Sequence, residues 1–218
     1  NEIVFEAQAK GNAGSTLDQA LASSIKYAPI AIGNMSLNDY SNSDIRKYLQ
    51  GKQAGVSFSF DDYTRSMEGN ATPKDLPTLM EMIYSYFTGF GLREDEFNAA
   101  RDGLAAQLAN QESVPNFIFS KNLISSLYSA PSKQMISVSD LKAADRQAIV
   151  DMVRGMMSNA ADYTFYFVGN IDEATFEPLM LQYLATLPAN VKKASTGFTH
   201  NPAFEIAAGS KTDTFTTK

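Results

Sequence analysis

His200 is the only histidine in the 218-residue chain. Any Ser-His-Asp triad, or any metal site using imidazole, would therefore have to be built on it. It lies between Thr199 and Asn201 in a polar stretch with no periodicity. A catalytic base needs packing and a further hydrogen bond to hold its ring, so a solvated loop histidine is the favoured reading of His200. With no cysteine, thiol nucleophiles, thiolate metal sites and disulfides are excluded. Carboxylates do pair locally, at Asp61-Asp62, Glu94-Asp95-Glu96 and Asp172-Glu173. A glycosidase-type pair must face across a cleft at a set separation, which neighbours in one turn do not offer. Each cluster instead stands at a turn or a helix start, where carboxylates complement the helix dipole.

Three weaker motifs point to binding, and each has a plainer explanation. Gly11-Asn12-Ala13-Gly14 follows a strand and precedes a helix, but lacks the Gly-Lys-Ser/Thr ending and the third glycine of phosphate loops. Met80, Met82, Met152, Met156 and Met157 fall at helical spacing and read as core filler. Tyr163 to Phe167 resembles a base-stacking platform, yet no lysine or arginine flanks it, so it reads as a buried strand. Formal net charge is −6 with dispersed Lys and Arg, the opposite of a nucleic-acid footprint. No apolar run reaches the roughly 18 residues of a membrane span, and no signal-peptide pattern is present.

The elements that would position these residues start with a strand, Ile3 to Ala9, in which odd residues are apolar. A turn and a helix follow, with Ser15 as cap, Asp18 in a capping box, and Leu17, Ala20, Leu21, Ile25 and Ala28 as the buried stripe. Pro29 marks its end. Gly33 to Tyr40 reads as loop. Ser43 caps a short helix with Ile45, Tyr48 and Leu49, closed by Gly51 in the left-handed region.

The central unit runs from Ala54 to Phe87. Val56, Phe58 and Phe60 alternate with polar residues, Asp61-Asp62 reverses the chain, and Tyr63 to Glu68 forms the return strand. Gly69-Asn70 reads as a turn. A helix starts at Asp75 as cap, with Leu76, Leu79, Met80, Ile83 and Phe87 inward. Further helices are expected over 93–110 (Phe97, Ala100, Leu104 and Leu108 inward), from Pro115 (Phe117, Ile118, Leu123, Ile124, Leu127), and from a Ser139 cap to Met157 (Ile149, Val153, Met156, Met157). Ser129 to Ser137 reads as a mobile loop between the last two. A strand over Asp162 to Val168, ended by Gly169-Asn170, precedes a helix over Phe176 to Leu187 with Met180, Tyr183, Leu184 and Leu187 inward. Lys192 to Ser210 has the composition of a linker, and Thr212 to Thr217 alternates weakly as a strand. The class is α+β, a two-layer mixed β-sheet with helices packed on one face. The domain spans 1–190, and 191–218 is a linker and first strand leading to a following domain. The chain reads as a piece of a longer protein.

Three segments together resemble the repeated domain of the M16 metallopeptidases, the pitrilysin, insulin-degrading enzyme and mitochondrial processing peptidase family. Asn42 to Gly69 is similar to that family's short helix, Gly-Lys turn and hairpin. Asn70 to Leu108 is similar to its long helix, connection and next helix. Asp162 to Pro188 is similar to its strand, Gly-Asn turn and helix ending Leu-Pro. The resemblance implies the LuxS- and mitochondrial-processing-peptidase-like metallohydrolase fold. It also implies a zinc site, confined to the first of four such domains: an inverted H-x-x-E-H on the first helix plus a Glu from a later helix. Here the corresponding helix, Leu17 to Ala28, has no histidine and no carboxylate after Asp18, and Gln107 stands where the later Glu would fall.

No catalytic residue, metal ligand or cofactor is therefore expected in this chain, with zinc belonging to the catalytic domain of a parent zinc metalloendopeptidase. The details are most similar to the third domain of bacterial four-domain members, which implies a non-catalytic part of the wall of a peptide-enclosing chamber. Its partners would be the other M16 domains and an enclosed peptide, with no nucleic acid, in the periplasm or cell envelope. A stand-alone binding or assembly module of the same fold is the alternative. A hydrolase using a serine and His200 is a third and poorer one.

Overall fold

In the computed structural model, which describes residues 2–10, 19–194, 202–206, 208–210 and 212–214, the alternation of Ile3, Phe5, Ala7 and Ala9 becomes the spine of a four-stranded sheet. β1 (Ile3–Lys10) buries those four side chains and exposes the ones between. β3 (Ala54–Phe60) and β4 (Thr64–Ala71) form the expected hairpin, and β6 (Tyr163–Gly169) pairs with the other edge of β1, giving the order β3-β4-β1-β6. Every pairing is antiparallel, so the sheet is not the mixed one expected from sequence. The chain is α+β.

The helices lie against one face of this sheet. α1 (Ala22–Ala31), α2 (Asn42–Tyr48), α3 (Leu76–Gly89), α4 (Glu94–Gln111), α5 (Pro115–Leu127), α6 (Val138–Ala143), α7 (Arg146–Met157) and α8 (Glu173–Leu179) follow in chain order. α3 buries Leu76, Leu79, Met80, Ile83 and Phe87, the expected stripe. Phe87 meets Tyr163 edge-on at 5.2 Å and Phe165 at 6.0 Å, while Phe5 lies 5.0 Å from Phe167. Among the described residues no helix covers the opposite face, and Val4, Tyr166 and Val168 there are at least half exposed.

Several expected boundaries move, each for a local reason. Gly69-Asn70 is not a turn but part of β4, where Gly69 lies between Phe5 and Val56. A Cβ at Gly69 would come within 2.4 Å of the Gly55 carbonyl oxygen, so glycine is there for sheet packing. Ser41, not Ser43, caps α2, because only Ser41 has an acid at the third helical position, Asp44, to complete a capping box. The same holds for Ser137 and Asp140, not Ser139, at α6. The expected long helix from there breaks at Ala144, and Asp145 starts α7 afresh by accepting from Ala148 N–H. Pro29 sits inside α1, which runs on to Ala31 because Ala28 and Ala31 are buried while the proline ring faces solvent. Thr72 caps the 3-10 turn Pro73–Asp75 ahead of α3, leaving the Asp75 carboxylate to accept from Gln53 N–H and the Thr72 hydroxyl.

The segment 33–40 is not all loop, since β2 (Ser36–Leu37) pairs with β5 (Phe90–Gly91). The expected mobile loop before α6 holds a 3-10 turn at Pro131–Lys133 whose Ser132 and Lys133 bind the buried Asp62. α5 has no fully buried side chain, although Phe117 packs half-buried against the core, and Ala20, expected in the buried stripe of the first helix, is exposed. The last expected helix begins earlier, capped by Asp172, and continues past Leu179 as a π-helical stretch, Met180–Leu184, in which Met180 is exposed. In the expected linker, short 3-10 turns occur at Val191–Lys193 and Pro202–Phe204, and 212–214 carries no strand. Ser15, Leu17, Asp18 and the rest of the strand expected over 212–217 lie outside the described residues.

Candidate functional site

The place to look for chemistry is where α1 meets α4, since a zinc centre of the kind the sequence resembles would be assembled from those helices. What meets there is aromatic. Tyr27 of α1 packs edge-on against Phe97 of α4 at 5.4 Å, and the Arg101 guanidinium lies 5.9 Å from the Phe97 ring. Tyr27 is fully buried, and its hydroxyl has no hydrogen-bond partner among the described residues. Burial raises its pKa, with the nearby Arg101 charge partly opposing.

The polar side chains of α1 are committed to holding neighbouring helices. Ser23 and Lys26 donate to Asp140 Oδ1 at 3.1 and 3.0 Å, and the Ser24 hydroxyl accepts from Asp145 N–H at 2.9 Å. Burial pushes the Asp140 carboxyl up, but the Ser137 hydroxyl and Lys26 more than offset it, leaving it below the ordinary range. Gln107 is on α4 and exposed. Among the described residues no three His, Cys, Asp or Glu side chains gather as metal ligands would. α1 itself, Ala22–Ala31, contains no histidine, cysteine or carboxylate, the side chains that bind zinc. His200 and Gly11 to Gly14 lie outside the described residues.

The carboxylate clusters serve as structural ties. Asp61 closes the β3–β4 turn by accepting from the N–H groups of Tyr63 and Thr64 at 2.7 and 2.6 Å. Asp62 is buried and takes the Ser132 hydroxyl at 2.8 Å and Lys133 Nζ at 2.5 Å. Glu96 reaches from α4 to the N-terminus of α2, accepting from Asn42 and Ser43 N–H at 3.0 and 3.3 Å. Glu94 and Asp95 are exposed in the first turn of α4, and Asp172 caps α8. Met80, Met82, Met156 and Met157 are core residues and Met152 packs against them. Tyr163, Phe165 and Phe167 face the helices, leaving Thr164 and the half-exposed Tyr166 of that run outward.

Sequence reasoning missed one concavity. A cavity of about 320 Å³ opens between α2 and α3, floored by Leu37, Ile45 and Met82 and walled by Tyr40, Tyr48 and Glu81. Tyr48 and Glu81 are the visible signal, since the phenol donates to the carboxylate at 2.6 Å, but they are 33 residues apart in sequence.

No protein-family model matches the chain, and no curated protein does. Solved structures do. Some 95% of the chain matches 22% of the ferredoxin protease FusC, solved as a mutant in complex with Arabidopsis ferredoxin, at a TM-score of 0.72 and 16% identity. Similarly, 90% matches 22% of the periplasmic protease PqqL from Escherichia coli, at 0.70 and 16%. An inactive domain of peptidase M16 from Pseudomonas fluorescens is matched by 86% of the chain over 46% of its own length, at 0.58 and 14%. The fold is that of an M16-type protease domain. This agrees with the resemblance read from the hairpin, the long helix and the last strand. The chain spans about a fifth of FusC and PqqL, 22% of each. Within this fold, α1 and α4 join through aromatic packing.

Proposed function

We propose that the chain is a non-catalytic domain of an M16-family zinc metallopeptidase, forming part of the wall of a peptide-enclosing chamber and the interface to neighbouring domains. The observation that carries this reading is the combination of an M16-type fold with an α1 that has no metal-binding side chain. The likeness to about a fifth of two larger proteases supports a role as one domain among several, 22% in each case. Residues 1–190 would be the domain and 191–218 the passage to the next. The helix-free face of the sheet, with Val4, Tyr166 and Val168, is the surface suited to line a chamber, and the apolar side chains left exposed on α5 (Phe119, Leu123) suit a domain interface. Zinc would be held by another domain, and the periplasm, the compartment named for PqqL, is the proposed location.

Elemental analysis and a quenched-peptide assay on the purified chain test the non-catalytic part. Less than stoichiometric zinc and no peptide cleavage are expected. Zinc at one equivalent together with cleavage overturns it. The chamber part is tested by the encoding reading frame, which should carry an H-x-x-E-H domain elsewhere; a frame without one favours a stand-alone assembly module.

A further inference from the structure

The cavity between α2 and α3 combines three features that together select one kind of occupant. Its floor is apolar, made by the buried side chains of Leu37, Ile45 and Met82. Its walls are two tyrosine rings, Tyr40 and Tyr48, of which 65% and 49% remain exposed. Its rim carries two carboxylates, Asp44 and Glu81, and no described lysine or arginine lines it. Asp44 is held ionised, its pKa lowered by the hydrogen bonds from Ser41. Glu81 gives one oxygen to the Tyr48 phenol, and no described residue donates to the other. Two lysines stand near but outside the lining. Lys47 is mostly exposed and only 3.8 Å from Asp44 at its closest, a loose surface pair that an incoming cation can displace. Lys52 lies 3.4 Å from the centroid of the Tyr48 ring, so this ring already carries a cation on its π face.

We infer that this cavity is a subsite for one basic side chain, arginine above all, on a bound polypeptide. The methylene stem of arginine would lie on the apolar floor while its guanidinium meets Glu81 and Asp44 at the rim, the division between greasy stem and charged head that such side chains favour. A volume near 320 Å³ suits a single large side chain, at the bottom of the range for ligand pockets. An acidic side chain would face two carboxylates, and a purely apolar one would offer no donor to the second Glu81 oxygen. Free arginine would bring its own α-carboxylate to an acidic rim, which favours a residue within a peptide, where that group is an amide. The inference stands on the cavity's own chemistry and is independent of the reading of the chain as a chamber wall.

Four probes decide it by amide-resolved NMR titration of the ¹⁵N-labelled chain: Ac-Ala-Arg-Ala-NH₂, the same peptide with citrulline, the same with norleucine, and free L-arginine. Citrulline keeps the shape of arginine and removes its charge. The arginyl peptide is expected to give saturable shifts confined to residues 37–48 and 81–85. The citrulline and norleucine peptides and free arginine should bind about tenfold more weakly. Glu81→Gln should reduce arginyl binding to the level of citrulline, and Tyr40→Ala, at an exposed position, should weaken it with the rest of the spectrum unchanged. Equal binding of the citrulline or norleucine peptide would show an apolar pocket and overturn the inference, and free arginine binding as tightly would show a small-molecule site. Shifts elsewhere, or no saturation up to about 10 mM, overturn it altogether.

Discussion

Arg65 and Asp162 lie 97 positions apart in sequence and meet in the core, Nη2 to Oδ2 at 3.0 Å, with both side chains at or below 10% exposure. Arg65 also donates to the Met156 carbonyl at 2.8 Å, so one guanidinium fastens β4 to the end of α7 and to the start of β6. Removing only the acid strands the cation. Asp162→Ala should therefore cost about 3–5 kcal/mol. The double variant Arg65→Met/Asp162→Ala should cost less than the two single changes summed. Urea unfolding of all three proteins measures this, and additive costs would refute the idea that the pair acts as a unit.

The buried hydroxyl of Tyr27 gives a prediction of opposite sign. It lies on the fully enclosed side of α1 with no partner among the described residues, while its ring packs on Phe97. Tyr27→Phe keeps the ring contact and removes an orphaned polar atom, so stability should rise by about 1 kcal/mol or stay level. A loss of more than about 1 kcal/mol in thermal or urea unfolding would mean that the hydroxyl does have a partner.

Period-2 and helical spacing made β1, the β3–β4 hairpin and α3 legible, because those side chains alternate or repeat against a core that each contacts directly. Caps were misplaced by two positions at α2 and α6. Both run Ser-x-Ser-Asp, and only the serine three before the acid can close a capping box. At α5 the apolar spacing says that a face is greasy but not what covers it. The all-antiparallel order required knowing that β6 returns beside β1, a pairing over 150 residues that no local pattern encodes. The cavity was invisible for the same reason. Tyr40, Tyr48 and Glu81 come together only when α2 packs on α3.

Two glycines should respond to alanine in opposite directions. At Gly69 a Cβ would lie 2.4 Å from the Gly55 carbonyl oxygen and crowd Leu79 and Val56, and a strand in mid-sheet cannot withdraw. Gly69→Ala should cost about 1–3 kcal/mol. At Gly103, within α4, a Cβ would meet nothing within 4 Å, so Gly103→Ala should gain about 0.4–1 kcal/mol by restricting the unfolded chain. Paired melting curves check both, and a stabilised Gly69→Ala protein would contradict the close strand packing.

Acid should weaken the fold in a defined window. At Asp61 burial favours the neutral carboxyl, yet the N–H groups of Tyr63 and Thr64 outweigh it. At Asp140 burial is likewise overcome by Ser137 and Lys26, so both folded pKa values lie below the ordinary carboxylate value. A carboxylate whose pKa is lower folded than unfolded binds fewer protons in the native state. Its contribution is thus complete above the unfolded value, about 3.9, and is lost as pH falls through the folded one. Unfolding free energy measured by urea between about pH 5 and pH 2 should therefore fall on the acid side of about pH 4. Asp140→Asn should lower stability near neutral pH, because Lys26 and Ser23 lose their charged acceptor, and should also flatten the acid slope. An unchanged slope in that variant would show that Asp140 titrates alike in the folded and unfolded chains, and that Lys26 and the Ser137 cap do not hold it ionised.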